Sequence, residues 1–247
     1  MKAGGKWMKR IYKSGNVTEV SVFTVGANAK PRAPRKKGNT PPRKQEQNER
    51  YAALRLARTI NCNFSHGDLW VTLTYRDDAL PENREIALHD LRLFLRRVKR
   101  ELAKQGTAFK YIAITSDMDG ESETPTRIHH HVIMPRLPFE AVGKQWEKHG
   151  TTNYQILRNQ PDYTPLAVYL LRQVKRVPDQ KKYMPSRNLE KPIVEEYVIS
   201  APDGELRPPR GAILIERAGY TQAGPAQYIR YTMPGDTTRK KKERKST

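Results

Sequence analysis

The sequence is poor in cysteine, in acidic residues and in apolar residues. Cys62 is the only cysteine of 247 residues, which excludes a disulfide framework and any cysteine-based zinc site. A small buried residue is its expected role. Apolar residues make up 36%, below the share usual in a compact domain. No apolar run approaches the length of a membrane-crossing helix. The opening stretch "MKAGGKWMKRIYKSGN" is basic but lacks the apolar centre of a secretory signal. A soluble, cytoplasmic protein is therefore expected.

What the chain does have is positive charge. Lys and Arg outnumber Asp and Glu by 46 to 26, a formal net charge of +20. That excess favours a polyanionic partner, nucleic acid foremost. Residues 1 to 47 read as a basic, Gly- and Pro-rich arm, in which only "VTEVSVFTV" (17–25) alternates like a strand. The tail at 236–247 ends in "TRKKKERKST", a like-charge run that will not fold alone.

Between them lies a patterned body, expected at 48–192. "NERYAALRLARTINCNF" has helical spacing and ends near Asn63. "LWVTLTY" (69–75) is a buried-strand pattern. "IALHDLRLFLRRVKRELAKQG" places Leu88, Leu91, Leu95, Val98 and Leu102 at three- and four-residue spacing before Gly106. Arg92, Arg96, Lys99 and Arg100 fall on its other face and are candidates for DNA-backbone contacts. Strands are expected at 109–115 and 126–134, joined by a polar hairpin. A helix near 138–149, a short strand "NYQILR" and a helix near 162–176 follow. This order predicts an α+β fold: a central antiparallel sheet with helices on one face, ferredoxin-like or RRM-like, its open face free to carry a site. Residues 193–235 form an extension with a possible strand at "GAILIER".

The stretch "RIHHHVIMPR" holds three of the six histidines in a row. On a strand, side chains alternate, so His129 and His131 share one face and His130 the other, among Ile128, Val132 and Met134. Two imidazoles on adjacent same-face positions can meet at one divalent cation. The helix pattern in "YTPLAVYLLRQVKR" carries Tyr169, with Arg172, Lys175 and Arg176 downstream. A phenol is a weak nucleophile at neutral pH, and neighbouring cations compensate by stabilising the phenolate.

These elements, in order, resemble the rolling-circle replication initiators of the HUH endonuclease superfamily, the short phage and plasmid type. The resemblance rests on "NCNFSHGDLWVTLTYRDD", on "RIHHHVIM" as a His-hydrophobic-His motif with His130 in the middle, on "YLLRQVKR" as the tyrosine motif, and on "YMPSRNLEKP". A Trp146…Gly150 turn adds to it. The resemblance implies that His129 and His131 hold Mg²⁺ or Mn²⁺. It implies that Tyr169 attacks a phosphate in single-stranded DNA at a replication origin, leaving a 5′-phosphotyrosine link and a free 3′-hydroxyl for a host polymerase. Arg172 and Lys175 would offset charge at the phosphate. Ser186, Arg187 and Asn188 would suit a phosphate-contacting loop. With no GxxxxGK[ST] loop in the sequence, unwinding would come from a host helicase or from supercoiling.

The match departs in two places. The family's acidic third ligand falls at Ser116, so Asp117 is the first candidate, with Asp119, Glu121, Glu123 or water as alternatives. Gln173 stands where a second tyrosine occurs in two-tyrosine members, implying a one-tyrosine enzyme. A relaxase or single-tyrosine transposase would use the same chemistry on another substrate. A non-catalytic nucleic-acid-binding protein or a histidine-dependent RNA phosphoesterase would explain the charge without Tyr169.

Overall fold

A computed structural model describes residues 6–25, 41–104, 106, 108–119, 121–122, 124–175, 181–202, 204–220 and 226–234. Glu123, Arg176, the basic stretch 26–40 and the tail from 236 lie outside them. The chain divides into two compact units, Met1–Glu46 with Lys191–Thr247, and Gln47–Glu190.

The first unit corrects the reading of an unpatterned arm. Strands β1 (Lys6–Ser14) and β2 (Val17–Val25) form a hairpin across Gly15, whose φ of 61° suits a two-residue turn. Strands β8 (Ile193–Ile199), β9 (Ile213–Tyr220) and β10 (Ala226–Thr232) complete an antiparallel sheet in the order β8-β1-β2-β10-β9. The extension and the arm thus build one sheet. β1 is basic and weakly patterned, and it is a strand because β8 brings it acidic partners. Arg10 pairs with Glu196 at 2.5 Å, and Lys13 pairs with Glu195. Those partners lie some 180 residues away in sequence, beyond what local periodicity reports.

Helix α1 (Pro42–Asn63) leads into the second unit, followed by β3 (Leu69–Tyr75), α2 (Arg84–Ala103), β4 (Ile112–Met118), β5 (Pro125–Met134), α3 (Phe139–Gly143), β6 (Gly150–Ile156), α4 (Thr164–Arg172) and β7 (Met184–Pro185). The sheet is antiparallel in the order β6-β3-β5-β4-β7. The α+β class with a central antiparallel sheet is what the chain adopts. Helix α2, started by Asn83 accepting from the N–H groups of Glu85 and Ile86, lays Leu91, Phe94, Leu95 and Val98 on a face made by Leu69, Val71, Leu73, Val132 and Met134. The opposite face, built from Ile112, Ile114 and Ile133, packs Leu56, Ala57 and Ile60 of α1 and Ala167, Leu170 and Leu171 of α4. Helices therefore flank both faces, and only part of the second face is left open. Strand periodicity tells which residues share a face, but not which face a given helix will cover.

Trp146 is fully buried and donates its indole N–H to the carbonyl of Thr74 at 2.9 Å, and Gly150 pairs with Tyr75. A Cβ at Gly150 would lie 2.0 Å from the Thr74 carbonyl oxygen. Gly150→Ala should therefore destabilise the protein by roughly 1–3 kcal/mol or more through forced backbone movement. Urea denaturation with the m-value checked would measure it.

Candidate functional site

The strand register sets the site in rows. Across β6, β3, β5 and β4, the first row is Thr151, Thr74, His129, Ser116, and the second is Asn153, Thr72, His131, Ile114. His129 and His131 stand on the same face, their Nε2 atoms 3.1 Å apart. His130 points the other way, fully buried against α2's side of the sheet. Its Nε2 meets the Tyr75 hydroxyl and its Nδ1 the Thr115 hydroxyl, both at 2.9 Å. It is thus more than an apolar spacer: both ring nitrogens are hydrogen-bonded. Burial, aided by the neighbouring His129 and His131, pushes its pKa down to about 3.

His131 is held from three sides. The Trp70 indole N–H donates to its Nδ1 at 2.9 Å, which places the ring proton on Nε2, where it donates to Gln173 Oε1 at 2.8 Å. Thr72 Oγ1 lies 3.1 Å from Nδ1. Burial first, then His129, lowers the His131 pKa to about 4. The ring of Trp70 also packs edge-on against Tyr169, with centroids 5.7 Å apart, and against His131 at 5.3 Å. Trp70 therefore links the histidine pair to Tyr169, which is 38% exposed. The strand sequence "LWVTLTY" contained this residue, and its alternation placed Trp70 opposite the core face, yet its part in the site was missed.

Gln173 was also missed. It stands four residues after Tyr169, the spacing that puts two side chains on one face of a helix, at the end of α4. Its position is bolted to β4 where the β4–β5 register shifts. The Gln173 carbonyl accepts from the N–H groups of Asp117 and Met118, each at 3.1 Å. Ser116 Oγ lies 3.0 Å from both that carbonyl and Oε1. Ser116, which occupies the expected acid's position, thus holds another oxygen in place. Lys182 Nζ caps the helix end by donating to the Leu171 carbonyl.

Asp117 is not brought to the histidines. Arg84, at the start of α2, holds its carboxylate at 2.7 Å, and its other oxygen accepts from the Lys175 N–H. The physical reason is the partnership: a carboxylate so paired is committed to joining α2, β4 and the segment after α4. Asp119 is a turn residue, its Oδ1 accepting from the N–H groups of Glu121 and Ser122. Arg172 and Lys175 are exposed at the end of α4, on the stretch that carries Tyr169. Arg92, Arg96, Lys99 and Arg100 are exposed on α2, which covers the face opposite His129 and His131, so the structure does not gather them at the site. Ser186 and Asn188 hold the segment after β7 to residues 109–111, through Ser186 Oγ with Tyr111 N and Asn188 Nδ2 with the Phe109 carbonyl. That is the end of β4 away from Ser116. Arg187 there is exposed.

Among the described residues no three His, Cys, Asp or Glu side chains cluster as metal ligands. The donors that would suit a cation are His129 Nε2, His131 Nε2 and Gln173 Oε1. Their spacings of 3.1 and 2.8 Å match the roughly 3 Å between adjacent ligands of an octahedral ion bound at about 2.1 Å. Two imidazoles and an amide oxygen suit Mn²⁺ better than Mg²⁺. Loading His131 Nε2 requires its proton to move to Nδ1, where Thr72 Oγ1 can accept it and the Trp70 N–H must turn away. A buried amide nitrogen on Gln173, without a hydrogen-bond partner, leaves that side chain free to re-aim.

Residues 68–174 match the model of a family of replication-associated proteins, the ORF2 group. The match begins at β3 and ends just past Gln173, so it contains every residue of the cluster around Trp70. It marks this segment as similar to replication-associated proteins and points to a role in replication initiation. No curated protein and no solved structure matches the chain. None of the described helices is long and apolar enough to cross a membrane.

Both buried histidines make folding acid-sensitive. Their folded pKa values, about 3 and about 4, lie below the ordinary 6.5, so the unfolded chain binds protons that the folded one does not. Stability is fully present above about 6.5 and falls as pH drops toward about 4. Thermal melts between pH 7 and 4 should show this fall. His130→Leu should flatten the slope of melting temperature against pH, whatever it does to the value at pH 7.

Proposed function

We propose that this protein is an HUH-type, metal-dependent single-strand DNA endonuclease and strand transferase that initiates rolling-circle replication. The observation that carries the reading is Trp70 touching both His131 and Tyr169, within the segment similar to replication-associated proteins. In this reading His129, His131 and Gln173 hold a divalent cation, which when bound polarises the scissile phosphate. The Tyr169 oxygen attacks phosphorus as its proton leaves to water. The phosphorus–O3′ bond breaks, and the departing oxygen takes up a proton to become a 3′-hydroxyl. The 5′-phosphate stays on Tyr169. Attack by a second 3′-hydroxyl reverses the step, joins the strand and releases the tyrosine. Exposed Arg172 and Lys175 supply positive charge for the phosphate. Single-stranded DNA at an origin is the substrate, and a host helicase and polymerase are the partners that the free 3′ end calls for.

Incubation with random single-stranded oligonucleotides and Mn²⁺, followed by denaturing gel and mass mapping, tests this directly. A 5′-linked adduct on Tyr169 that EDTA abolishes is expected. Tyr169→Phe should lose the adduct and reduce nicking by at least about 10³-fold. Cleavage with no adduct would instead indicate a hydrolytic phosphoesterase, and binding without cleavage a non-catalytic protein.

Cation binding has its own readout. Mn²⁺ should alter Trp70 fluorescence, because the indole N–H loses its acceptor at His131 Nδ1. Gln173→Ala should weaken that titration by roughly 10–100-fold. An unchanged titration in Gln173→Ala would remove its oxygen from the ligand set.

A further inference from the structure

Beside the histidine pair, half of the sheet face is uncovered. Thr151, Asn153 and Gln155 of β6 are exposed on that face, and Thr74, Thr72 and Trp70 of β3 lie between them and β5. None of the six is charged, although the chain carries a net charge of +20. The rows run without interruption into the site: Asn153 lies beside Thr72, which lies beside His131, and Gln155 lies beside Trp70. Thr74 and Thr151 satisfy each other through their hydroxyls at 2.7 Å. Among the described residues, the side-chain amides of Asn153 and Gln155 make no hydrogen bond.

A surface meant to hold phosphates carries Lys and Arg. One that reads bases presents groups that both donate and accept, and a free amide does both in a geometry that matches a base edge. Two strand spacings, about 10 Å, separate β6 from the histidine strand. That distance suits the nucleotides next to a phosphate held at His129 and His131. We infer that the open β3–β6 face is the reading surface for the single-stranded DNA flanking the scissile phosphate, with Asn153 and Gln155 selecting bases by their Watson–Crick or Hoogsteen edges. Sequence preference then resides in these amides, while the charged residues supply affinity without selecting sequence. This rests on the reading of His129, His131 and Tyr169 as the nicking site.

The test separates reading from chemistry. The full chain with Tyr169→Phe, unable to form an adduct, is used to select binders from a randomised single-stranded DNA pool. The same selection is run with Asn153→Ala and Gln155→Ala added. A second pair, Asn153→Thr and Gln155→Thr, keeps strand-forming residues at these exposed positions and removes only the amides. The expected result is a motif enriched by Tyr169→Phe. Its affinity advantage over a scrambled strand should fall about ten-fold in both double variants, the loss of one good amide–base contact. Affinity for the scrambled strand, and its dependence on salt, should change by less than about two-fold. A retained motif with an unchanged advantage in either folded double variant overturns the proposal, as does failure of Tyr169→Phe to enrich any motif. Nicking is judged separately, by incubating the chain with Tyr169 intact on the enriched strand. An enriched, amide-dependent motif on which Tyr169 forms no adduct keeps the reading surface and removes the nicking reaction.

Discussion

The end of α4 is tied to the irregular end of β4, and the arrangement of the site depends on that tie. The Gln173 carbonyl takes two backbone N–H groups and shares the Ser116 hydroxyl, while the Asp117 carboxylate accepts from Lys175 N–H. Peptide groups buried at a helix end are costly unless paired, so these bonds fix both the height and the rotation of the helix. Rotation matters most. It sends Ala167, Leu170 and Leu171 into the core and leaves Tyr169 outward against Trp70. Gln173, one turn on, is turned to His131. A helix of nine residues has little rigidity of its own, and the clamp provides it.

The same economy explains the three adjacent histidines. His129 and His131 face the site, and His130 faces the core with both nitrogens hydrogen-bonded to Tyr75 and Thr115. A Leu or Val at 130 would pack, but it would orient nothing. An imidazole pinned at both nitrogens fixes the strand's rotation about its axis. The penalty is acid sensitivity, since two neutral buried imidazoles exclude protons that the unfolded chain would bind. Ser116 shows a related substitution. A hydroxyl stands where a carboxylate was expected, and it positions the amide oxygen of Gln173.

Much of this was legible in the sequence because it depends on local pattern. Alternation along 126–134 separated His130 from its neighbours, and the three- and four-residue spacing of Leu88 to Leu102 gave α2. Tyr169 and its cations followed from helical spacing. Asp117 was a reasonable choice of ligand by proximity in sequence, but Arg84 lies 33 positions away and claims it. The arm was illegible for the same reason. The basic strand β1 acquires its meaning from Glu195 and Glu196 of β8, which no window around residues 6–14 contains.

The sequence by itself determined what each element carries: the histidine pair, the tyrosine, the basic surface, the absence of cysteine chemistry. These follow from residue identity and from periods of two and 3.6, which act over a few residues. The tertiary structure alone decided which face each helix covers. It therefore decided that the Arg and Lys residues of α2 lie opposite the site, that Trp70 and Gln173 belong to it, and that Asn153 and Gln155 are left open beside it. Those outcomes depend on register and on hydrogen bonds between segments far apart in the chain. Both are set by the closing of the whole sheet and not by any stretch within it.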